Sequence, residues 1–388
     1  QRDFFEWDFL EQLPISNSEI DEIFVFVLQM PEFRVEVPNS RGQSLVHYGC
    51  EKNLPKTLRL LILKDAKLHV PDKRGRVPMC IAYDNGHWDV LKLLVANVTK
   101  IDFRDDNGRL PMHHACDRGD LDTMQLLVSN GIKVNFSDGD GLQPIHYACN
   151  VEKFPRTNGD KEVSNMVRFL LDHVANVNVP GRNGQLPIHY TCQNGYLDTT
   201  KSLIVNGAKV NHPDGNGRLP IHHACENEHL DLVELLLRTG ARLDVPDKDG
   251  RLPIHYACEK GHCDIVDLLI TSGAKEDVPD GDGRLPIHYA CAQEHLNLVE
   301  LLIRNGVNVN VPDKSRRRPI HYACEKGHSP VVNLLIKSGA KENVPDGDGR
   351  LPIHYACEKE LDLVELLIKN GAKMDVPDKD GRLPIHYA

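Results

Sequence analysis

Histidine and cysteine recur at a metal-ligand spacing throughout this chain of 388 residues. His255 and Cys258 are one such pair, and their separation of three residues places both side chains on one face of a helix. The sequence holds nine pairs of this kind, with the cysteines at Cys50, Cys116, Cys149, Cys192, Cys225, Cys258, Cys291, Cys324 and Cys357. Imidazole and thiolate are common zinc ligands, but a structural zinc ion needs four ligands at one point.

The pairs are spaced too regularly to converge on metal ions. Most follow one another after 33 residues, and packed helices lie roughly 8–10 Å apart. Two pairs at this separation cannot share a tetrahedral site with bonds of about 2.0–2.3 Å. Disulfides are excluded similarly, because Cα atoms more than about 7 Å apart cannot be bridged. We therefore predict no metal site, and small buried cysteines typical of a reducing compartment.

The aspartate and glycine residues at Asp280–Gly283 are similar to the start of a calcium-binding loop. Such a loop needs a glutamate at its twelfth position, and the residue at that position is Cys291. We interpret the segment as a tight turn, which Asp-Gly favours. The sequence has no Gly-x-Ser-x-Gly motif, phosphate loop or dinucleotide fingerprint. It therefore predicts no catalytic residue, no cofactor and no enzyme activity.

The elements that position these residues follow a period of 33 residues. Within Asp247–Pro279, Pro253 opens a first short helix because its fixed φ and missing N–H suit the first turn. Gly261 ends this helix. A second helix with a wide apolar stripe is predicted over 264–272, and Gly273 ends it in a left-handed conformation. One unit is too small to bury its own apolar stripe, so stacked copies must share a core.

The segment Leu252-Pro253-Ile254-His255-Tyr256-Ala257, followed by this helix pair, closely resembles the ankyrin repeat. The resemblance covers residues 40–388 and implies an all-α fold. We expect an ankyrin-repeat solenoid of about eleven stacked helix-turn-helix units with β-hairpin tips. The repeat proline recurs at Pro78, Pro111, Pro144, Pro187, Pro220, Pro253, Pro286, Pro319, Pro352 and Pro384, with Leu45 one period before Pro78.

Residues 1–40 precede the regular repeats, and we predict that they form an atypical capping unit. A remnant of a different upstream domain is the alternative. Ser18 and Asp21 indicate the start of a helix. Its predicted apolar stripe consists of Ile20, Ile23, Phe24 and Val27.

Residues 41–388 are predicted to be the repeat array. An insertion of ten residues at 150–160 contains Pro155, Asn158 and Gly159, which indicate an exposed loop. The array stops inside a first helix, which leaves an apolar face without a polar cap. We therefore expect the natural chain to continue past Ala388, and the absence of a starting methionine indicates that it also begins before Gln1.

The resemblance also implies a role for the repeat histidine, whose ring is expected to bond the backbone of a neighbouring loop. Most repeats depart from the family by placing leucine, as at Leu252, where threonine usually precedes the proline. This change removes a hydroxyl that would cap the first helix. We therefore expect a weaker cap and tighter packing between units.

Ankyrin repeats bind protein partners on the concave groove formed by the tips and first helices. Carried over to this chain, the groove contains Lys248, Asp249, Arg251, Glu259, Lys260, Arg284 and Arg350. These positions are monotonous, whereas a few distinct anchors carry most binding energy in an interface. We therefore add the residues that interrupt the pattern, which are Trp88, the loop residues Lys153, Phe154 and Arg156, and the basic tip at Arg316, Arg317 and Arg318.

Composition limits the class of partner and the location. The net charge of −10 is spread evenly along the chain, which disfavours nucleic acid because phosphate contacts need a basic surface. No apolar run reaches the length of about 20 residues that a membrane helix needs, and no signal peptide is present. These features predict a cytoplasmic protein with protein partners. They leave its oligomeric state open.

Three functions fit this sequence. The first is a scaffold or adaptor that binds proteins along the groove and the inserted loop. The second is a structural spacer, spring or lattice component of a large cytoskeletal or channel-tethered assembly, which the uniform repeats favour. The third is a targeting arm for an enzyme or toxin domain that lies outside these residues.

Overall fold

The computed structural model describes residues 15–30, 35–97, 104–105, 107–150, 159–359 and 361–388. The chain divides into two compact units, Gln1–Arg182 and Asn183–Ala388. The described residues form helices and turns, with no β-strand among them. The prediction of an all-α solenoid is therefore confirmed, but the expected β-hairpin tips are turns without strands.

The first unit is a stack of helix pairs. Its helices are α1 (Asn17–Leu28), α2 (Leu45–Lys52), α3 (Pro55–Leu63), α4 (Pro78–Asp84), α5 (Trp88–Val95), α6 (Pro111–Arg118), α7 (Leu121–Ser129), α8 (Pro144–Cys149) and α9 (Gly159–Asp172). The first helices α2, α4, α6 and α8 pack in sequence on one another. The second helices α1, α3, α5 and α7 likewise pack in sequence on one another.

The second unit repeats this arrangement. Its helices are α10 (Pro187–Asn194), α11 (Leu197–Val205), α12 (Pro220–Glu226), α13 (Leu230–Arg238), α14 (Pro253–Lys260), α15 (Cys263–Thr271), α16 (Pro286–Ala292), α17 (Leu296–Arg304), α18 (Pro319–Lys326), α19 (Ser329–Lys337), α20 (Pro352–Cys357) and α21 (Leu361–Lys369). A 3₁₀ turn at Pro384–Tyr387 packs on α20.

Proline and glycine set the helix ends, as the sequence predicts. Pro253 occupies the first turn of α14, and Gly261 ends the helix with φ 83°. A Cβ atom on Gly261 would lie 2.6 Å from Nδ1 of His295 in the next repeat. Glycine is therefore required here both for its backbone conformation and for the space it leaves.

The core lies between the two helices of a repeat and those of its neighbours. Ile254 and Cys258 of α14 and Ile265 and Leu269 of α15 are at most 1% exposed. Burial of each large aliphatic side chain contributes about 1.5–3 kcal/mol. Ile270 is only half-buried, so the buried stripe of the second helix is narrower than predicted.

The tip of each repeat is a turn that begins at an aspartate. In the turn at Asp280, the backbone N–H of Asp280 donates to the carbonyl of Arg284 at 2.9 Å, and the N–H of Gly283 donates back to the Asp280 carbonyl at 3.0 Å. The segment is a turn, as interpreted from the sequence. We call this segment, from the aspartate to the residue before the proline, the finger.

Helix α1 begins two residues earlier than predicted, because Ser16 rather than Ser18 is the N-cap. The Ser16 hydroxyl accepts from the N–H of Glu19, whose carboxylate accepts from the N–H of Ser16 at 2.7 Å. Glutamate at the third helical position completes this reciprocal cap. The prediction at Ser18 was wrong because Asp21, three residues after it, accepts N–H groups of α3 instead of taking part in a cap of its own helix.

The apolar stripe of α1 is partly as predicted. Ile20 and Phe24 are buried, Val27 is half-buried and Ile23 is 38% exposed, so its inclusion was wrong. The buried Asp21 carboxylate instead accepts the N–H groups of Lys56 and Thr57 at 3.1 and 2.8 Å. A carboxylate from the preceding repeat thereby caps α3.

The predicted loop at 150–160 includes residues that are helical. Residues 151–158, which include Pro155 and Asn158, lie outside the described residues. Gly159 and Asp160 already belong to α9, which has 14 residues against nine in α7. Part of the insertion therefore lengthens the second helix.

No helix in the described residues is long and apolar enough to span a lipid bilayer.

Candidate partner-binding face

The fingers and the first helices form one face of each unit, which we call the finger face. Its organising residue is the first aspartate of the finger. Oδ1 of Asp247 accepts the N–H groups of Asp249 and Arg251 at 2.9 and 2.8 Å. Oδ2 accepts the hydroxyl of Tyr256 at 2.5 Å. One carboxylate therefore shapes the finger and ties it to α14.

The finger arginine lies between two tyrosine rings. The guanidinium carbon of Arg251 is 4.1 Å from the ring centroid of Tyr256 and 4.6 Å from that of Tyr289 in the next repeat. Its Nη2 donates to Glu259 at 2.6 Å. Cation–π stacking and a charge-assisted hydrogen bond hold the side chain in place, and it is only 15% exposed. Arg251 and Glu259, both predicted to bind a partner, therefore bind each other.

The same arrangement recurs along the second unit. Arg350 stacks at 5.5 Å from Tyr355 and 4.6 Å from Tyr387, and it lies 3.6 Å from Glu358. The arrangement differs where Gln185 replaces the arginine in the repeat of α10 and where Arg284 has no glutamate partner. Ala292 occupies the position of the glutamate, and Arg284 instead donates to the hydroxyl of Tyr322 at 3.1 Å.

The repeat histidine connects neighbouring repeats, as the family resemblance implies. Nδ1 of His288 accepts the N–H of Leu285 at 3.0 Å, so Nε2 carries the proton and donates to the carbonyl of Val311 at 3.1 Å. His113 similarly reaches the carbonyl of Phe136 at 2.9 Å. The prediction that this ring bonds a neighbouring loop is confirmed at these two histidines, whereas Nε2 of His255 and Nε2 of His354 have no hydrogen-bond partner.

This histidine also supplies part of the cap that leucine cannot. Leu252 makes no side-chain cap, as its chemistry requires, but its N–H donates to Nδ1 of His255 at 3.0 Å. Burial lowers the pKa of His255 to about 4. The ring is therefore neutral at neutral pH, which lets Nδ1 accept this bond.

The repeat cysteines have a core role. All nine are free thiols, buried except for the half-buried Cys357. Burial raises the pKa of Cys192 to about 12, so this thiol is uncharged and a poor metal ligand. The described residues hold no group of three or more histidine, cysteine or acidic side chains placed to bind a metal ion.

The three arginines at Arg316–Arg318 do not form one basic patch. Arg316 is exposed and has φ 60°, whereas Arg317 stacks on Tyr322 at 4.4 Å and pairs with Glu325 at 2.9 Å. Nε of Arg318 donates to the carbonyl of Asn310 at 3.0 Å. The interpretation of this segment as a solvated tip therefore holds for Arg316 alone.

The other predicted partner residues are dispersed. Lys248 and Asp249 at the finger tip and Lys260 at the end of α14 are exposed. Trp88 starts α5, is half-buried, and lies under the guanidinium of Arg118 at 4.5 Å. The loop residues Lys153, Phe154 and Arg156 lie outside the described residues.

The finger face varies more in the first unit than in the second, where the tyrosine position differs only at His223 of α12 and the arginine position only at Gln185. The tyrosine position holds Ile81 in α4 and His114 in α6. His114 lies 3.1 Å from Asp105 and so takes the place of the tyrosine hydroxyl. A cavity of about 260 Å³ adjoins Ile81, and its lining includes Asp72, Arg74 and Arg76. Reading the sequence by period alone missed these residues, although comparing the repeats position by position reveals them.

Family comparisons agree with this architecture. A model of three consecutive ankyrin repeats matches residues 46–138, 79–155, 136–214, 188–280 and 269–346, and a single-repeat model matches residues 348–379. The chain belongs to the ankyrin repeat family. Among solved structures, the human ASB11 ankyrin repeat domain is 27% identical, with a TM-score of 0.49, over 53% of this chain and 92% of that one. The curated proteins contain no match.

Proposed function

We propose that this ankyrin repeat protein is a scaffold or adaptor that binds a protein partner on the finger face of its first unit. Ankyrin repeats are generally protein–protein interaction modules, and the family assignment rests on matches along most of the chain. The proposal also extends to the inserted loop, where Lys153, Phe154 and Arg156 supply side chains that no other repeat has at that place.

The variation of the finger face carries this proposal. In the second unit, Arg251 and its counterparts pair with glutamates and stack on tyrosine rings of the protein itself. In the first unit, the corresponding row holds Gln43, Arg76, Arg109 and Leu142, and the tyrosine row holds Tyr48, Ile81, His114 and Tyr147. A specific partner needs such distinct anchors along an interface.

Site-specific photocrosslinking tests this placement. A benzophenone side chain at exposed Arg74 or Asn85 on the finger face should capture the same partner. The matched control is exposed Arg59 on the second helix α3, which should capture none. Capture from Arg59 but from neither finger-face position would overturn the proposal.

A structural spacer is the second candidate, and the internal pairing in the second unit favours it. Arg218, Arg251, Arg317 and Arg350 each approach a glutamate of their own repeat within 3.6 Å. Alanine at exposed Lys248, Asp249 and Lys260 distinguishes the two roles. A spacer keeps full partner affinity after these changes, whereas a scaffold that also binds its partner on the finger face of the second unit loses affinity.

A further inference from the structure

In the second unit, the tyrosine of the first helix lies in a slot on the finger face, which we call the tyrosine slot. The ring of Tyr256 lies 4.4 Å from the guanidinium carbon of Arg218 in the preceding repeat and 4.1 Å from that of Arg251 in its own. Its hydroxyl donates to Asp247. An aromatic ring, two arginines and an aspartate form one recurring cluster.

In the repeat of α4 this slot lacks its ring, because Ile81 stands in the tyrosine position. Isoleucine has neither the length nor the hydroxyl to reach the finger. Oδ2 of Asp72, which would accept that hydroxyl, instead accepts Nε and Nη2 of Arg76 at 3.2 and 3.1 Å. The ring that fills this place in other repeats is therefore missing.

A cavity of about 260 Å³ lies at this slot. Its lining includes Asp72, Arg76 and Gln43, which correspond by position to the aspartate and the two arginines around Tyr256. The cavity is thus bounded by the groups that contact a tyrosine ring elsewhere in the chain, with glutamine in place of one arginine.

The rim of the cavity is more basic than the fingers of the second unit. Arg41 and Arg74 also line it, both exposed. Their position in the finger is filled by Asp249 and Asp282 in two repeats of the second unit. Glu51 and Asp72 are the two acidic residues of this lining, against the three arginines Arg41, Arg74 and Arg76, which leaves an excess of positive charge.

From these observations we propose that the cavity at Ile81 binds a tyrosine or phenylalanine side chain of an acidic peptide segment in a protein partner. The ring stacks on Arg76 as the chain's own tyrosines stack on their arginines, and flanking carboxylates pair with Arg41 and Arg74. Aromatic–arginine pairs are frequent anchors of protein interfaces. This inference rests on the proposed function and names the chemistry of the partner.

A short peptide tests the site on the full 388-residue chain. The probe is acetyl-Glu-Glu-Tyr-Glu-Glu-amide, titrated by calorimetry, with alanine in place of its tyrosine as the peptide control. Ile81→Tyr fills the slot from within and should weaken binding by about tenfold, as should the alanine peptide. The matched variant Ile81→Leu keeps the cavity and should bind like the unchanged chain.

Thermal unfolding checks that Ile81→Tyr is folded. A second variant tests the cavity even if Ile81→Tyr misfolds. Arg74→Asp gives this finger the aspartate that the second unit has at the same position. It leaves the core unchanged and should also weaken binding. Absence of binding, or equal affinity of the unchanged chain and both variants, overturns the inference. If a partner cross-links to Arg74 or Asn85 but the peptide fails these tests, the finger face binds proteins by another chemistry and only the cavity assignment falls.

Discussion

The hydroxyl of Tyr256 donates a 2.5 Å hydrogen bond to Oδ2 of Asp247, nine residues earlier. Burial and this acceptor carboxylate raise the pKa of Tyr256, so the phenol stays protonated and remains a donor. The same bond recurs at 2.5–2.6 Å for Tyr147, Tyr289, Tyr322 and Tyr355. It is one link that joins each of these fingers to its first helix.

Tyr256→Phe should therefore destabilise the protein, because it leaves one oxygen of a buried carboxylate without its donor. The expected loss is about 1.5–3 kcal/mol in the free energy of unfolding, measured by urea denaturation. Asp249→Asn at the exposed tip of the same finger is the control and should change stability by less than about 0.5 kcal/mol. Equal effects of the two changes would refute a special role for the tyrosine bond.

An asparagine clamp between repeats predicts two changes of opposite sign. Nδ2 of Asn310 donates to the carbonyl of Gly339 at 2.8 Å, and its Oδ1 accepts the N–H of Lys341 at 2.9 Å. Asp277 stands at the same position one repeat earlier and cannot donate. Asn310→Asp should lower the free energy of unfolding by about 1 kcal/mol, and Asp277→Asn should raise it by about 0.5–1 kcal/mol. Chemical denaturation of both variants is the measurement, and a shift in the same direction would contradict the clamp.

Lysine in place of a finger arginine should cost more at Arg251 than at Arg284. Arg251 stacks tightly and has a glutamate partner, whereas Arg284 lies 6.0 and 5.7 Å from its two rings and is 37% exposed. Lysine keeps the charge but loses the planar stacking. We expect Arg251→Lys to lower stability by about 1 kcal/mol and Arg284→Lys by less. Thermal unfolding of the pair measures this difference, and a larger loss at Arg284 would show that stacking is not the cause.

Acid should destabilise the array through its buried histidines. Burial lowers the pKa of His189, His222 and His321 to about 4, below the unfolded value of about 6.5. The folded state therefore favours the neutral ring. The stabilisation that each neutral ring gives to the folded state is fully present above pH 6.5 and is lost as the pH falls toward 4. At about pH 5 each ring should lower the free energy of unfolding by up to about 2 kcal/mol relative to neutral pH.

Urea midpoints between about pH 7 and pH 5 measure this effect, and a constant midpoint would contradict it. His321→Gln is the matched variant and should show a shallower decline. Carboxylates do not account for a loss in this range. The pKa of Asp214, for example, lies below its ordinary value of 3.8 because hydrogen bonds from His223 and the finger backbone outweigh burial.

The sequence by itself determined the repeats, because their elements rest on local rules. Proline at the helix start and glycine in a left-handed conformation at the helix end require no distant partner. The period then places each apolar stripe against the next, so the buried cysteines could also be predicted. The histidine bridge was predicted from the resemblance to the ankyrin repeat and not from the period.

Only the tertiary structure decided what the polar residues of the finger face do. A charged side chain such as Arg251 has the same local sequence whether it faces solvent or lies between two rings. Its stacking partner Tyr289 belongs to the next repeat, and the distance between repeats is set by packing rather than by spacing in the chain. For the same reason Asp21 capping α3 and the cavity at Ile81 are visible only once neighbouring repeats are in contact.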